Sequence, residues 1–222
     1  MTELRSCGDR TMELVLLRHG STSGNAEHCY VGRTDEPLSQ AGAREARESG
    51  VREDVGCVYV SPLQRARQTA AICFPRARQV VVDGLREMDF GDFEGRTANE
   101  MADDPAYRAW VEGMCVGRCP GGESRDEFVA RSWVAVRNVA LGAATEDVGK
   151  ARASRRVVIV AHGGTVMSAM SKLVRAEGRD DDPLAYFSWH VGTCQGYRLL
   201  LRVDGGGLQA LSWSRLSGVR DL

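Results

Sequence analysis

The strongest structural signal in the chain comes from two short stretches, ELVLLRHG at residues 13–20 and RVVIVAHGG at residues 156–164. Each is an apolar run that stops at a His-Gly pair, a pattern typical of a buried strand ended by a turn. Neighbouring parallel strands end at the same edge of a sheet, where α/β proteins bind their ligands. We therefore expect His19 and His162 to lie in one crevice, where the adjacent glycines let backbone amides approach a bound group.

Strand-like and helix-like stretches alternate along the rest of the chain. Strands are predicted at residues 56–60, 79–82, 196–203 and 208–213, and helices at residues 39–50, 63–73, 124–141 and 165–176. This alternation predicts an α/β fold, a three-layer α/β/α sandwich whose mostly parallel sheet has helices on both faces. Residues 94–122, with two prolines and several glycines, interrupt the alternation. We interpret them as a small helical cap inserted into a domain that spans residues 12–222.

The composition limits the class of protein. The 222 residues are 43% hydrophobic and 27% charged, which is typical of one globular domain. The 29 basic and 30 acidic residues nearly cancel, so we expect neither a nucleic acid nor a membrane as partner. Seven cysteines and the lack of a secretory signal favour the cytoplasm. Residues 1–11 are interpreted as a leader that is free to be disordered.

Two arginines are expected beside the paired histidines. Arg18 directly precedes His19, and Arg65 lies in the first turn of the predicted helix that follows strand 56–60. Guanidinium groups and a helix N-terminus both favour an anion. The crevice is therefore predicted to bind a group with about two negative charges, such as a phosphoryl group.

Several motifs occur in one order along the chain. They are Arg18-His19-Gly20 with Asn25 six residues after His19, the stretch 30–39, Ser61-Pro62-Leu63 through Arg65, Glu87 within 85–91, Gly122-Glu123-Ser124, and Ala161-His162-Gly163-Gly164. With these motifs the chain resembles the histidine phosphatase superfamily, in its phosphoglycerate-mutase-like branch, from about Leu14 to about Thr165. The ordered set is far more specific than any one tripeptide.

The resemblance implies a role for each matching residue. His19 would be the nucleophile that takes the phosphoryl group, and Glu87 would donate a proton to the leaving oxygen. Arg18, Arg65 and His162 would bind the phosphoryl oxygens. Ancillary phosphate contacts would come from Asn25 and from backbone amides near Gly32 and Gly163. An imidazole suits the first role because it is a nucleophile while neutral, and its ordinary pKa lies near neutrality.

A rival hypothesis is a magnesium site. The acids Glu87, Asp89, Asp92 and Glu94 lie within eight residues of one another. We expect neither a metal nor a cofactor, because the cationic crevice already supplies the charge that a metal would bring. The isolated pair Cys115 and Cys119 has no second pair at zinc-ligand spacing, so no metal is expected there either.

The region after Glu87 favours hydrolysis over mutase chemistry. Mutases that resemble this chain carry a longer, more basic insertion there, whereas this chain offers only Arg96, Arg108 and Arg118. The stretch 85–95 is most similar to alpha-ribazole phosphatases. The predicted function is therefore hydrolysis of a small phosphomonoester, with alpha-ribazole 5'-phosphate as one candidate. A cofactor-dependent phosphoglycerate mutase and a non-catalytic phosphate-binding module are the alternatives, and a homodimer is left open.

Overall fold

A single mixed sheet organises the molecule. The structure, a computed structural model, describes residues 10–145, 155–174, 185–204 and 207–222. Its strands are β1 (Arg10–Arg18), β2 (Cys57–Val60), β3 (Arg78–Val81), β4 (Arg155–Ala161), β5 (Gly196–Asp204) and β6 (Gly207–Leu216). Their order is β3-β2-β4-β1-β5-β6. The first four strands in this order pair in parallel, and β5 and β6 pair antiparallel at one edge. The predicted α/β class with a mostly parallel sheet is confirmed.

Helices cover both faces of the sheet. They are α1 (Ser23–Ala26), α2 (Gln40–Ser49), α3 (Gln64–Cys73), α4 (Pro105–Glu112), α5 (Arg125–Thr145) and α6 (Gly163–Leu173). Ser39 caps α2 as expected, because its side chain accepts a hydrogen bond from the Gly42 amide. Helix α6 begins at Gly163, two residues earlier than predicted. The last two residues of that predicted helix, 175 and 176, lie outside the described residues.

The central strand β1 is buried on both faces. Leu14 and Leu16 belong to the core that includes residues of α5 and α6, whereas Val15 and Leu17 belong to the core that includes residues of α2 and α3. All four side chains are at most 2% exposed. Burying one such side chain is worth about 1.5–3 kcal/mol. A continuous apolar run, rather than an alternating one, is what a strand covered on both faces requires.

The register of β1 and β4 brings the two His-Gly motifs together. Arg18 lies opposite Ala161 in the parallel pair. The next amide, that of His19, donates to the Ala161 carbonyl at 3.0 Å. The two histidines therefore leave adjacent strands at the same edge of the sheet.

Residues 94–122, the predicted cap, contain α4 and share an apolar cluster with residues on either side of them in the chain. Its buried members are Met88, Phe93, Met101, Tyr107, Trp110, Cys119 and Phe128. Helix α4 starts with Asp104 as its cap and Pro105 in its first turn, two features that favour a helix start. Of the leader predicted at residues 1–11, residues 1–9 lie outside the described residues, and Arg10 and Thr11 already belong to β1. Within the described part of the chain, no helix is long and apolar enough to cross a membrane.

Candidate active site

His19 is held with one ring nitrogen unprotonated. Its Nδ1 lies 2.6 Å from the Gly20 carbonyl, an acceptor, so Nδ1 carries the proton and Nε2 keeps its lone pair. The side chain is 3% exposed. Burial, followed by the charges of Arg65 and Arg18, holds the pKa of His19 well below its ordinary value of 6.5. The ring is therefore neutral, as a nucleophilic imidazole must be.

Arg65 ties the nucleophile to the loop at residues 31–34. Its Nε donates to His19 Nε2 at 3.2 Å, and its other nitrogens donate to the carbonyls of Thr34 at 2.6 Å and Gly32 at 2.7 Å. The guanidinium group is completely buried at the start of α3. A buried positive charge beside Nε2 favours the approach of an anion to this nitrogen.

His162 lies against His19 and is oriented by Ser61. The centroids of the His19 and His162 rings are 5.0 Å apart, and His162 Nε2 is 2.7 Å from Ser61 Oγ. Because Ser61 Oγ also accepts from the Leu63 amide, its own proton is free to bond His162 Nε2. When Ser61 donates in this way, the ring proton of His162 lies on Nδ1. Burial, followed by the positive charge of Arg65, lowers the pKa of His162.

Two buried donors at this edge of the sheet remain to be satisfied. His162 Nδ1 and Arg18 Nε have no hydrogen-bond partner among the described residues. Arg18 is anchored through another nitrogen, which donates to the Val191 carbonyl at 2.9 Å. A buried donor without a partner costs free energy, and an anion would supply the missing acceptors.

Glu87 faces the same cavity as His19, and backbone amides hold its carboxyl group. Its two carboxyl oxygens accept from the amides of Met88 and Gly164, each at 2.9 Å. A Cβ at position 164 would lie 2.3 Å from Glu87 Oε1, so only glycine allows this approach. Burial raises the pKa of Glu87, although these hydrogen bonds and the nearby arginines oppose the rise. A raised pKa suits a proton donor that works near neutral pH.

Arg131 fixes the backbone on which Glu87 sits. Its guanidinium group forms a bidentate ion pair with Glu123, at 2.7 and 2.9 Å. The same group donates to the carbonyls of Gly84, Arg86 and Glu87 at 3.1 to 3.2 Å. Helix α5 thereby holds the segment that carries the carboxyl group.

A cavity of about 390 Å³ brings most of the predicted residues together. Arg18, His19, Asn25, Glu87 and Gly163 line it. Arg65 and His162 lie behind His19, both completely buried. Gly32 is placed differently, because its amide donates to Glu94 at 3.1 Å and it is not among the lining residues.

Most of the remaining lining has no role assigned to it in the sequence. It includes aromatic, sulfur-containing and basic side chains, among them Tyr30, Phe90, Trp110, Arg125, Phe128, Met167, Tyr186, Phe187 and His190. One signal was available for Arg125, because it directly follows the Gly122-Glu123-Ser124 motif. No local pattern distinguishes Tyr186 or Phe187 from ordinary apolar residues.

Two of the four clustered acids bond to the loop at residues 31–34. Asp89 pairs with Arg33 at 3.1 Å, whereas Glu94 accepts from the amides of Gly32, Arg33 and Thr34. Glu94 therefore shapes the loop at residues 31–34. No group of three or more His, Cys, Asp or Glu side chains placed to hold a metal ion occurs within the described ranges.

The pKa shifts predict the pH dependence of turnover. Hydrolysis of an alkyl phosphate is expected to slow as pH rises from the ordinary glutamate pKa of 4.5 through the raised pKa of Glu87, because Glu87 then loses the proton that it donates. On the acid side, His19 stays neutral because its pKa lies well below 6.5. The measurement is kcat as a function of pH. The variant Glu87→Gln is the control, because its side chain does not titrate and any pH dependence that remains comes from other groups, such as the substrate phosphate. A value of kcat that rises steadily from acid to neutral pH would contradict the role of Glu87 as proton donor.

Fold and site together define an α/β protein with a cavity, lined by Arg18, Arg125 and Glu87 among others, at the carboxyl ends of its parallel strands. The chain belongs to the histidine phosphatase superfamily (branch 1), whose family model matches residues 14–214.

Its relatives carry both phosphatase and mutase names. The glucosyl-3-phosphoglycerate phosphatase of Mycobacterium tuberculosis is 33% identical over 217 residues, which cover 94% of this chain and 86% of that protein. Phosphoglycerate mutase-like protein 4 of Arabidopsis thaliana is 32% identical over 166 residues, 70% of this chain and 68% of its own. The crystal structure of the alpha-ribazole phosphatase from Shigella flexneri shares the fold, with a TM-score of 0.72 at 22% identity over 90% of this chain and 94% of that one.

Proposed function

We propose that this chain hydrolyses a small phosphate monoester through a phosphohistidine on His19. The observation that carries the proposal is a neutral, buried imidazole whose Nε2 lies 3.2 Å from the Arg65 guanidinium, in a cavity also lined by the Glu87 carboxyl group. Phosphatases among the relatives of this chain support the reaction class.

The reaction divides into two steps. In the first, His19 Nε2 attacks phosphorus, the bond to the ester oxygen breaks, and Glu87 gives its proton to the departing alkoxide. In the second, water attacks phosphorus, its proton returns to Glu87, and the phosphorus–nitrogen bond breaks to restore the neutral imidazole. Arg18, Arg65 and the Nδ1 proton of His162 would stabilise the charge on the phosphoryl oxygens in both steps.

Asn25 and the amide of Gly163 would add neutral phosphate contacts. Asn25 lines the cavity beside His19, and Gly163 is the first residue of α6, where helix amides point toward a bound anion. Residues 12–222 would act as one phosphatase domain, with residues 94–122 as the cap above the site. Cytoplasmic location and homodimer formation stay predictions.

A phosphoglycerate mutase is the second candidate, and one observation favours it. Arg125 lines the cavity and could bind a carboxylate or second phosphate. Against it, Arg96 pairs with Asp104, Arg118 pairs with Glu127, and Arg108 is exposed; none of the three lines the cavity. A non-catalytic binding module is disfavoured, because binding alone has no use for a neutral nucleophile facing a carboxylic acid.

A panel of phosphomonoesters tests the proposal. Purified protein is expected to release phosphate from several of them, in the presence of EDTA, with values of kcat/KM above about 10⁴ M⁻¹s⁻¹ for a good substrate. The panel includes alpha-ribazole 5'-phosphate, glucosyl-3-phosphoglycerate, phosphoserine and 3-phosphoglycerate. Conversion of 3-phosphoglycerate to its isomer without phosphate release would identify a mutase instead. Activity that EDTA abolishes and Mg²⁺ restores would support the magnesium hypothesis.

A further inference from the structure

Beyond the phosphate-binding end, the cavity is walled by aromatic side chains. Tyr30, Phe90 and Trp110 form a cluster on the cap side, with Tyr30 in edge-to-face contact with Phe90 at 5.2 Å and with Trp110 at 5.8 Å between centroids. Tyr186 and Phe187 form a second edge-to-face pair at 5.2 Å. Both groups line the same cavity as His19.

The polar tips of these side chains are already engaged with the protein. The Tyr30 hydroxyl bonds that of Tyr107 at 2.9 Å, the Trp110 indole donates to the Gly117 carbonyl at 3.1 Å, and the Tyr186 hydroxyl donates to the Gly164 carbonyl at 3.1 Å. What these residues can offer a ligand is therefore ring surface rather than hydrogen bonds.

The charged group beside the second aromatic pair is a planar guanidinium. The Arg125 guanidinium lies 5.3 Å from the centroid of the Tyr186 ring and 5.6 Å from that of Phe187. Among the lining residues of the described part of the chain, Glu87 is the only acid, and it belongs to the phosphate-binding end. A sugar or polyol would have to give up water for ring faces that cannot replace its hydrogen bonds.

From this arrangement we infer that the physiological substrate carries a flat aromatic group on the alcohol side of its phosphate ester. The ring packs against the side chains of Trp110 and Phe187 while the phosphoryl group lies at His19. This inference rests on the proposed phosphatase activity and assigns its substrate class.

A matched set of alkyl phosphates tests the inference, because their leaving alcohols react alike. The set is 3-phenylpropyl phosphate, 3-cyclohexylpropyl phosphate, propyl phosphate and glycerol 3-phosphate. We expect kcat/KM for the phenyl ester to exceed that for the propyl ester by about 10- to 100-fold, as burial of one phenyl ring implies. The cyclohexyl ester should fall between them, and glycerol 3-phosphate should not exceed the propyl ester.

A variant pair shows whether the ring binds in this cavity. Phe187 is 39% exposed, so its truncation does not threaten the core, and Trp213, at 48% exposed, is an aromatic control outside the cavity. Phe187→Ala is expected to lower kcat/KM for the phenyl ester about 3- to 10-fold more than for the propyl ester, mainly through KM. Trp213→Ala should change neither.

The experiment distinguishes an error in the proposed substrate class from an error in the proposed phosphatase activity. Equal kcat/KM for the phenyl and propyl esters, equal values for the phenyl and cyclohexyl esters, or a preference for glycerol 3-phosphate overturns the aromatic assignment while phosphatase activity stands. No phosphate release from any ester overturns the phosphatase proposal and this inference with it.

Discussion

Replacing His19 with alanine is expected to lower turnover of p-nitrophenyl phosphate by about 10⁴-fold or more, as loss of a covalent nucleophile does in other enzymes. The variant has no nitrogen to form the phosphorus–nitrogen bond, and water attacks phosphate monoesters extremely slowly. Acid-labile phosphate on the protein, trapped after brief exposure to radiolabelled substrate, should vanish together with turnover.

A second histidine provides the control for this variant. His28 is exposed and has a φ of 60°, a conformation that asparagine tolerates, so His28→Asn is the matched change. It should retain both turnover and labelling. Circular dichroism of His19→Ala guards against unfolding, because Arg65 Nε loses its His19 partner. Undiminished turnover in folded His19→Ala would refute the phosphohistidine mechanism.

Replacing Glu87 with glutamine is expected to slow hydrolysis of an alkyl phosphate by about 10²- to 10⁴-fold, the usual contribution of general acid catalysis. Hydrolysis of p-nitrophenyl phosphate should slow much less, because nitrophenolate leaves without protonation. The glutamine side chain has nearly the same shape, but its one carbonyl oxygen accepts from only one of the Met88 and Gly164 amides, a loss that both esters share. The ratio of the two rate losses therefore reports proton donation rather than binding.

Asp92 supplies the matched control within the same acidic stretch. It is exposed and is not among the residues that line the cavity, so Asp92→Asn should leave both rates unchanged. Equal slowing of the alkyl and aryl esters by Glu87→Gln would point to a positioning role for Glu87. Loss of activity in Asp92→Asn would instead favour the magnesium hypothesis.

The strands that position the site were predictable because their signal is local. The apolar runs before His19 and His162 need no distant partner to be recognised, and the pairing rules of parallel sheets then place both rings at one edge. The antiparallel pairing of β5 and β6 was not predictable in the same way. The residue pattern within a strand does not predict which edge of the sheet the strand joins, or whether it runs parallel or antiparallel to its neighbour.

Parts of the site that depend on distant contacts were not predictable. Gly32 was expected to contact phosphate, yet its amide donates to Glu94, which lies 62 residues further along the chain. Ser61 was part of a recognised motif, but its bond to His162 spans 101 residues. Such partners are chosen by packing, because a buried polar group bonds whichever complementary group the fold brings near.

The sequence alone was sufficient for the α/β class, for the paired histidines and for the two arginines near them, because strand patterns and motif spacings are properties of neighbouring residues; the candidate acid Glu87 came from the family resemblance. Only the tertiary structure decided what surrounds the phosphate-binding end. The cavity gathers Tyr30, Trp110 and Phe187 from segments far apart in the chain. In the sequence each resembles an ordinary core residue, because an aromatic side chain satisfies the hydrophobic effect equally well in a core or in a cavity wall.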